Sequence, residues 1–293
     1  MSNFASLKRS SGNLEKLAKA IEQLNTAESP SKEDNFWKPE VDKAGNGYAV
    51  IRFLPQPAID GDDALPWVKV FNHGFQGPGG WYIENSLTTL GQKDPVSEYN
   101  TQLWNSGVEA NKEIARKQKR RLSYISNVYI VEDPKNPENE GKVFLYKYGK
   151  KIFDKINEAM NPQFEDEKAV NPFDLWAGAN FKLKIRKVEG YQNYDKSEFE
   201  SASVLGDFDD DRLESIWKSE HSLKEFLAPE NFKSYDELKA KLDKVLGLSG
   251  QSPQPKTTVE QAKAAPRKAA VTEPSIDEDG DDLSYFSKLA EED

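Results

Sequence analysis

Five short segments of this 293-residue chain carry the period-two pattern, or the β-branched and aromatic content, of strands. Tyr48–Leu54 (YAVIRFL) follows the turn-like Ala44-Gly45-Asn46-Gly47, and Val68–Phe71 is a short apolar run. Ser123–Val131 (SYISNVYIV) is rich in β-branched and aromatic residues, while Val143–Tyr148 alternates, with Phe144, Tyr146 and Tyr148 on one face. Phe181–Arg186 (FKLKIR) alternates strictly and sets Lys182, Lys184 and Arg186 on a common face. Lys150–Met160, Asp211–Leu227 and Tyr235–Leu246 read as helices. Several short strands with a few helices predict a mainly β body of α+β class, a small barrel or curled sheet carrying insertions.

Outside that body the composition changes. Residues 1–25 read as a basic arm in which the helical spacing puts Leu14, Leu17, Ala18, Ile21 and Leu24 on one face behind Lys8-Arg9-Ser10-Ser11. Two readings stand for it: a terminal helix packed on its own core, or an arm that docks on another subunit. Residues 26–35 are polar and read as a linker into a core that runs to 248, and 249–270 are Pro-, Ala-, Gln- and Lys-rich, the composition of a disordered linker. The last 23 residues hold nine acids and one Lys, so most of the net charge of −10 is a tail. The other 270 residues carry a net charge of only −2, which leaves room for a basic stripe on the body. Within the tail, Leu283, Tyr285, Phe286 and Leu289 make a small apolar set suited to partner contacts. A tail that only aids solubility is the plainer alternative.

Several function classes are disfavoured. The absence of cysteine excludes disulfides and thiolate metal sites. No apolar run approaches the ~18–20 residues of a membrane span, and the first residues lack the apolar core of a signal peptide, so a soluble cytoplasmic protein is expected. No phosphate-binding GxxxxGK[ST] loop and no GxSxG occur, and His73 and His221 are the only histidines. The abundant carboxylates show no spaced set of the two-metal kind. No enzymatic activity is expected.

The chemistry that does stand out is the repeated adjacency of cations and aromatics. The run Arg116-Lys117-Gln118-Lys119-Arg120-Arg121 leads into Tyr124; Lys147, Lys150 and Lys151 follow the aromatic strand that holds Tyr146; Lys182, Lys184, Arg186 and Lys187 precede Tyr191 and Tyr194. Cations attract a phosphate backbone whatever its sequence. Unpaired bases expose flat faces on which rings stack for roughly 1–3 kcal/mol per base, faces that a duplex hides. The pattern therefore suits single strands. A solvated basic surface and aromatics that fill a core are the plainer readings, and core is expected for Tyr129 and Phe144, stacking for Tyr146, Tyr191 and Tyr194.

Ordered blocks across roughly residues 36–200 carry a more specific signal. They are Ala44-Gly45-Asn46-Gly47 with Ala49–Pro55 (AVIRFLP), Asn72-His73-Gly74-Phe75 with Trp81-Tyr82-Ile83-Glu84, Pro137–Phe144 (PENEGKVF) with Gly149-Lys150-Lys151-Ile152, and Gly178-Ala179-Asn180-Phe181 with Asn193-Tyr194-Asp195. In these the chain resembles the single-stranded DNA-binding, helix-destabilising proteins of T-even bacteriophages. The resemblance implies an OB-fold-type core with a positively charged cleft and a basic N-terminal arm joining neighbouring subunits along single-stranded DNA. It also implies an acidic tail contacting replication, recombination and repair proteins in the cytoplasm of the infected host cell. It carries stacking or backbone roles onto Tyr146, Tyr191, Tyr194 and Tyr124, onto Lys119, Arg120 and Arg121, and more weakly onto Trp81 and Trp104. Lys147, Lys150, Lys151, Lys184 and Arg186 complete the expected DNA-binding set, and Lys8, Arg9, Ser10 and Ser11 the cooperativity arm.

One departure bears on cofactors. The family's best-known member holds a structural zinc through one His and three Cys. Here His73 remains, but Ser86, Asp94 and Ser97 stand at the Cys positions. Neutral hydroxyls are poor zinc ligands, so no zinc and no other cofactor is expected. A small apolar cluster of Leu87, Leu90, Val96, Tyr99, Leu103 and Trp104 is expected to supply the missing folding energy. The rival readings are a regulatory module for RNA or nucleic acid in general, and a metal-dependent nuclease.

Overall fold

The computed structural model describes residues 35–164 and 166–248. The chain divides into two compact units, residues 1–37 and 38–293. Of the first, only residues 35–37 are described, including the short strand β1 (Phe36–Trp37). All other described residues belong to the second unit.

Eight further strands follow: β2 (Gly47–Phe53), β3 (Val68–Gly77), β4 (Gly80–Asn85), β5 (Arg121–Glu132), β6 (Val143–Tyr148), β7 (Phe181–Val188), β8 (Tyr191–Asn193) and β9 (Glu198–Phe199). Their order is β6-β5-β2-β7-β8, with the β3–β4 hairpin joined to β5 and β9 joined to β7. All pairings are antiparallel. The long β5 pairs with β3 at its start (Phe71↔Leu122) and with β2 at its end (Phe53↔Val128), while Tyr124–Tyr129 pair with β6. The β-rich core read from the sequence is thus present as one unclosed, connected sheet.

The sheet's core is aromatic. Phe53 lies 5.5 Å from Tyr148 and 5.8 Å from both Phe173 and Phe181, edge-on or tilted, geometries favoured by ring quadrupoles. Beneath them Arg52 is fully buried. Its guanidinium donates to Asn180 Oδ1, the Asp174 carbonyl and the Ser203 carbonyl, each at 3.0 Å. A Cβ at Gly178 would stand 2.8 Å from that guanidinium and 2.2 Å from the Asp174 carbonyl, so only glycine fits there. The AVIRFLP and GANF blocks are therefore two halves of one buried anchor.

Among the described residues there are five α-helices: α1 (Pro95–Asn105), α2 (Glu109–Gln118), α3 (Lys150–Met160), α4 (Asp210–Lys218) and α5 (Tyr235–Leu246). The bounds of α3 and α5 match the sequence periodicity. The third expected helix, Asp211–Leu227, breaks after Lys218. Asn127 there bonds both the N–H and the carbonyl of His221, and the Asp60 carboxylate takes the N–H groups of Leu223 and Lys224. Those partners replace helical hydrogen bonds. Helices α1 and α2, unexpected from sequence, lack a broad apolar stripe. Asp94 caps the first through the N–H groups of Val96 and Ser97, and pairs Glu109–Lys112 and Glu113–Arg116 lace the second. Among the described residues no helix is long and apolar enough to cross a membrane.

Candidate nucleic-acid interface

The first cationic group gathers on β3, β5 and the segment before β5. The alternation of β3 exposes Lys69 between buried Val68 and Val70 and half-exposes Phe71 beyond them. The Phe71 ring lies 4.1 Å from the Arg120 guanidinium and 4.8 Å from Lys69 Nζ. Arg121 stands opposite Asn72 in the β3–β5 ladder, and Lys147 stands opposite Ile125 on β6. Lys69 and Phe71 were missed from sequence, although the VKVF alternation already put both on one face.

Helix α3 connects this group to a second. It opens with Lys150 and Lys151 behind Gly149, which offers no side-chain cap, and has no acid in its first turn. Cations there oppose the helix macrodipole by roughly 0.3–1 kcal/mol each, a cost that a bound anion removes. Lys150 is paired with Asp154 at 2.7 Å. One turn on, Phe153 stacks on Tyr124 (centroids 3.9 Å apart), and Lys155 Nζ donates to the Asp195 carbonyl at 3.2 Å, in the turn between β8 and β9.

The second group is β7 with β8. Lys182, Lys184 and Arg186 do share a face, alternating with buried Phe181, Leu183 and Ile185. Each meets a carboxylate: Lys182 Nζ–Glu200 Oε1 at 2.8 Å, Lys184 Nζ–Glu198 Oε1 at 2.7 Å and Arg186 Nε–Asp195 Oδ1 at 2.9 Å. These contacts pull the carboxylates of Asp195, Glu198 and Glu200 below their ordinary range. Tyr191 is 57% exposed at the start of β8, and half-buried Tyr194 donates its hydroxyl to Gln192 Oε1.

Two expected stacking residues are corrected. Tyr146 is only 3% exposed, stacked at 5.5 Å on Tyr148, and its burial raises the phenol far above its usual range. Tyr124 is likewise buried, its ring covered by Phe153 and Tyr148. Both fill the core: Phe153 of α3 lies on Tyr124, and Tyr146 belongs to the same run of stacked rings through Tyr148. Tyr129 is core as expected, and Phe144 is half-buried. Trp81 is 59% exposed on β4. Trp104 packs with Leu103 on Ala115 and carries Lys112 and Arg116 over its ring, so its face is taken by its own chain. Arg116 and Lys117 end α2, where the dipole favours them. Half-buried Lys119 links that helix to β5. The arm residues Lys8, Arg9, Ser10 and Ser11 and the tail residues Leu283, Tyr285, Phe286 and Leu289 lie outside the described residues.

His73, Ser86, Asp94 and Ser97 do come together, all buried. Asp94 Oδ1 is 3.3 Å from His73 Nε2 and accepts from Val96 N and Ser97 N, while Oδ2 accepts from Leu87 N. These contacts hold the Asp94 carboxyl down at about 2 although burial opposes them. His73 Nδ1 meets the Gln118 carbonyl at 3.0 Å, and Ser86 Oγ meets Thr88 Oγ1 at 3.0 Å. The donor set does not fit zinc: two members are neutral hydroxyls, and three backbone N–H groups occupy the one carboxylate. Leu87 and Val96 enter an apolar cluster with Phe75, Tyr82, Leu238, Leu242 and Val245, with Tyr99 packed against it. Leu103 and Trp104 sit instead in the separate Ala115 cluster, and Leu90 is half-buried.

Residues 45–246 match the family model described as gp32 DNA binding protein like. Over 240 residues the chain is 40% identical to a protein of Enterobacteria phage T2 named single-stranded DNA-binding protein, a match covering 79% of this chain and 76% of that one. A protein of Enterobacteria phage T4 with the same name is 40% identical over 242 residues, 80% of this chain and 77% of the other. A third so named, from Enterobacteria phage RB70, is 43% identical over 98 residues, 32% of this chain and 78% of its own. With a family model matched over more than half its length and relatives this similar over most of theirs, the chain belongs to the gp32 DNA-binding-protein-like family.

Proposed function

We propose that this protein binds single-stranded DNA without sequence preference and without catalysis, coating strands exposed in phage replication, recombination and repair in the infected cell. The observation that carries this reading is the Phe71 ring in contact with both Lys69 and Arg120, with Arg121 beside it and the Lys150–Lys151 start of α3 following the neighbouring strand β6. A phosphate backbone crossing that edge meets cations gathered around the Phe71 ring, and bases lie on exposed Tyr191 and Trp81. The β7 cations extend the track. An OB-type core is in keeping with β5, which changes partners from β3 to β2 along one edge. The subdomain of α1, α2 and α5 holds without zinc, through the Asp94 node and the apolar cluster beside it. A strong zinc chelator is therefore expected to leave the melting temperature unchanged, and a fall on chelation defeats that part of the reading.

The test is fluorescence titration with oligo(dT) at several salt concentrations. Arg120→Ala with Arg121→Ala is expected to weaken binding and to flatten the salt slope by about 0.7 for each phosphate that is no longer neutralised. Tyr191→Ala is expected to cost roughly 1–3 kcal/mol if one base stacks there. Unchanged affinity and slope in both variants would remove the proposed interface. On long strands the same titration reads the arm: deleting residues 1–20 should abolish clustering while sparing affinity for a short oligomer. Removing residues 271–293 should tighten binding most at low salt, as expected of an acidic tail that competes with DNA before it meets protein partners. Equal weakening on long and short strands, or no effect of the tail, would reject those two assignments.

A further inference from the structure

The three cations of β7 are matched one for one by acids on the segment that returns beside them. β7 pairs with β2 on one edge (Tyr48↔Lys184) and on the other with β8 (Arg186↔Asn193) and β9 (Lys182↔Glu198). Alternate residues of a strand stand about 7 Å apart on one face, so Lys182, Lys184 and Arg186 form an evenly spaced row. Glu200, Glu198 and Asp195 face that row in reverse order, as an antiparallel return requires. The Arg186 contact is bidentate, with both its Nε and a terminal nitrogen donating to Asp195.

The acids do not depend on these ion pairs for their position. Ser197 Oγ accepts from the Lys184 N–H at 2.9 Å and donates to the Lys184 carbonyl at 3.1 Å, which stitches the returning segment to the β7 main chain. The Ser197 N–H closes the turn on the Tyr194 carbonyl, and the Glu200 N–H bonds the Asn180 carbonyl. Glu200 Oε2 also accepts from Asn180 Nδ2, and Asn180 in turn receives the buried Arg52. The Phe199 ring packs on Phe181 at 4.8 Å. The carboxylates are thus built into the fold as a fixed rail. The pairs themselves are substantially open to solvent, with side-chain exposures between 32% and 62%. Pairs of that kind are worth little and exchange readily.

We propose that Asp195, Glu198 and Glu200 are affinity-setting residues, a carboxylate rail that single-stranded phosphate must displace to reach β7. The proposal rests on the reading of β7 as part of the DNA track. Its physical consequence is a changed ion balance. A cation that trades a carboxylate for a phosphate leaves the carboxylate uncompensated a few ångströms away, so the site gains little net neutralisation of the DNA and releases few counterions. The rail lowers affinity at low salt and flattens the salt dependence. It also disfavours weakly held polyanions, because only a ligand that offers several phosphates together with bases to stack displaces three carboxylates at once.

The test compares three forms of the full chain by oligo(dT) titration between about 50 and 200 mM salt: the parent, a rail variant (Asp195→Asn, Glu198→Gln, Glu200→Gln) and a strand variant (Lys182→Ala, Lys184→Ala, Arg186→Ala). The substitutions of the rail variant keep the shape of each side chain and leave the Ser197 stitches in place. With three cations released, the salt slope of the rail variant is expected to steepen by about 2, so that its advantage over the parent shrinks about twentyfold across that range. The strand variant is expected to bind more weakly than the parent. A rail variant with the parent's affinity and slope, beside a weakened strand variant, overturns the rail while keeping β7 in the track. Parent-like binding by both variants overturns the placing of β7 in the track itself. Thermal melting checks that each variant folds. Should the triple rail variant melt early, Glu198→Gln alone provides the reading: its carboxylate is the most exposed of the three, and the expected steepening is about 0.7.

Discussion

Two buried carboxylates, one in each half of the unit, have opposite fates. Asp94 lies between β3, the turn at Leu87 and the start of α1, and every face of its carboxylate is used: His73 on one side and three backbone N–H groups on the others. Glu220 lies beyond α4 with both side-chain oxygens buried and without a hydrogen-bond partner. Its carboxyl is pushed up to about 9, first by burial and then by the negative charge of Asp60. Asp60 takes the Ser222 hydroxyl and the N–H groups of Leu223 and Lys224, and Asn127 takes the N–H of His221, so the donors that follow Glu220 in the chain are already committed. Burial penalises both carboxylates, and the supply of donors decides which one stays charged. A charged Asp94 ties three segments together, whereas Glu220 is held as a neutral acid whose ionisation works against the fold.

Substitution of the well-supplied carboxylate should strike hardest. Asp94→Ala removes the cap of α1, the partner of His73 and the acceptor for Leu87 in one step, leaving buried donors unmatched. A destabilisation on the order of 3–5 kcal/mol follows for breaking a buried pair of this kind, seen as a lower urea midpoint. A value under about 1 kcal/mol, the size of an ordinary helix cap, would mean that the node does no more than cap α1.

The donor-starved carboxylate is tested by Glu220→Gln, with pH as the variable. The folded pKa of Glu220, about 9, lies above the unfolded value of ~4.3. Folding therefore takes up a proton between those values. The stability that this group permits is complete below ~4.3 and is lost as pH rises towards 9. A glutamine keeps the neutral form at every pH. The variant should match the parent near pH ~4 and exceed it by a margin that grows by about 1.4 kcal/mol for each pH unit above ~4.3 until pH nears 9. Melting curves that fall in parallel for the two proteins between pH ~6 and ~9 would show that Glu220 ionises without cost.

How much of this was legible in the sequence differs between the same two halves. The sheet half declares itself by local pattern: FKLKIR alternates and does place three cations on a face, and helices α3 and α5 begin and end where their periodicity does. Its partners were not legible, because the acids opposite β7 lie up to 18 positions away in an irregular segment that has no period of its own. Tyr146 and Tyr124 were misplaced for a related reason. An aromatic beside a lysine reads alike whether the ring faces solvent or lies in the core, and only packing distinguishes the two: Phe153 of α3 on Tyr124, and Tyr148 on Tyr146. In the other half, α1 and α2 escaped notice because caps and ion pairs, not apolar faces, mark their sequence. The glycine turn of β3–β4 was equally silent. A Cβ at Gly79 would strike the Lys244 carbonyl at 2.2 Å, a demand set by α5 far along the chain.

The mildest change is expected where the two situations meet, at a buried oxygen without a partner inside the well-satisfied node. Ser97 contributes its backbone N–H to Asp94, but its hydroxyl is buried with no hydrogen-bond partner. The position matters to the node through the main chain alone. Ser97→Ala keeps that N–H and removes a polar atom that burial penalises, so stability should stay level or rise by up to about 1 kcal/mol. The same substitution at a true ligand position would weaken the subdomain sharply. Side by side, a level Ser97→Ala and a collapsed Asp94→Ala would assign the work of this site to one carboxylate and the backbone around it. A destabilisation above about 1 kcal/mol for Ser97→Ala would show the hydroxyl engaged, and the node would then rest on side chains rather than on main-chain N–H groups.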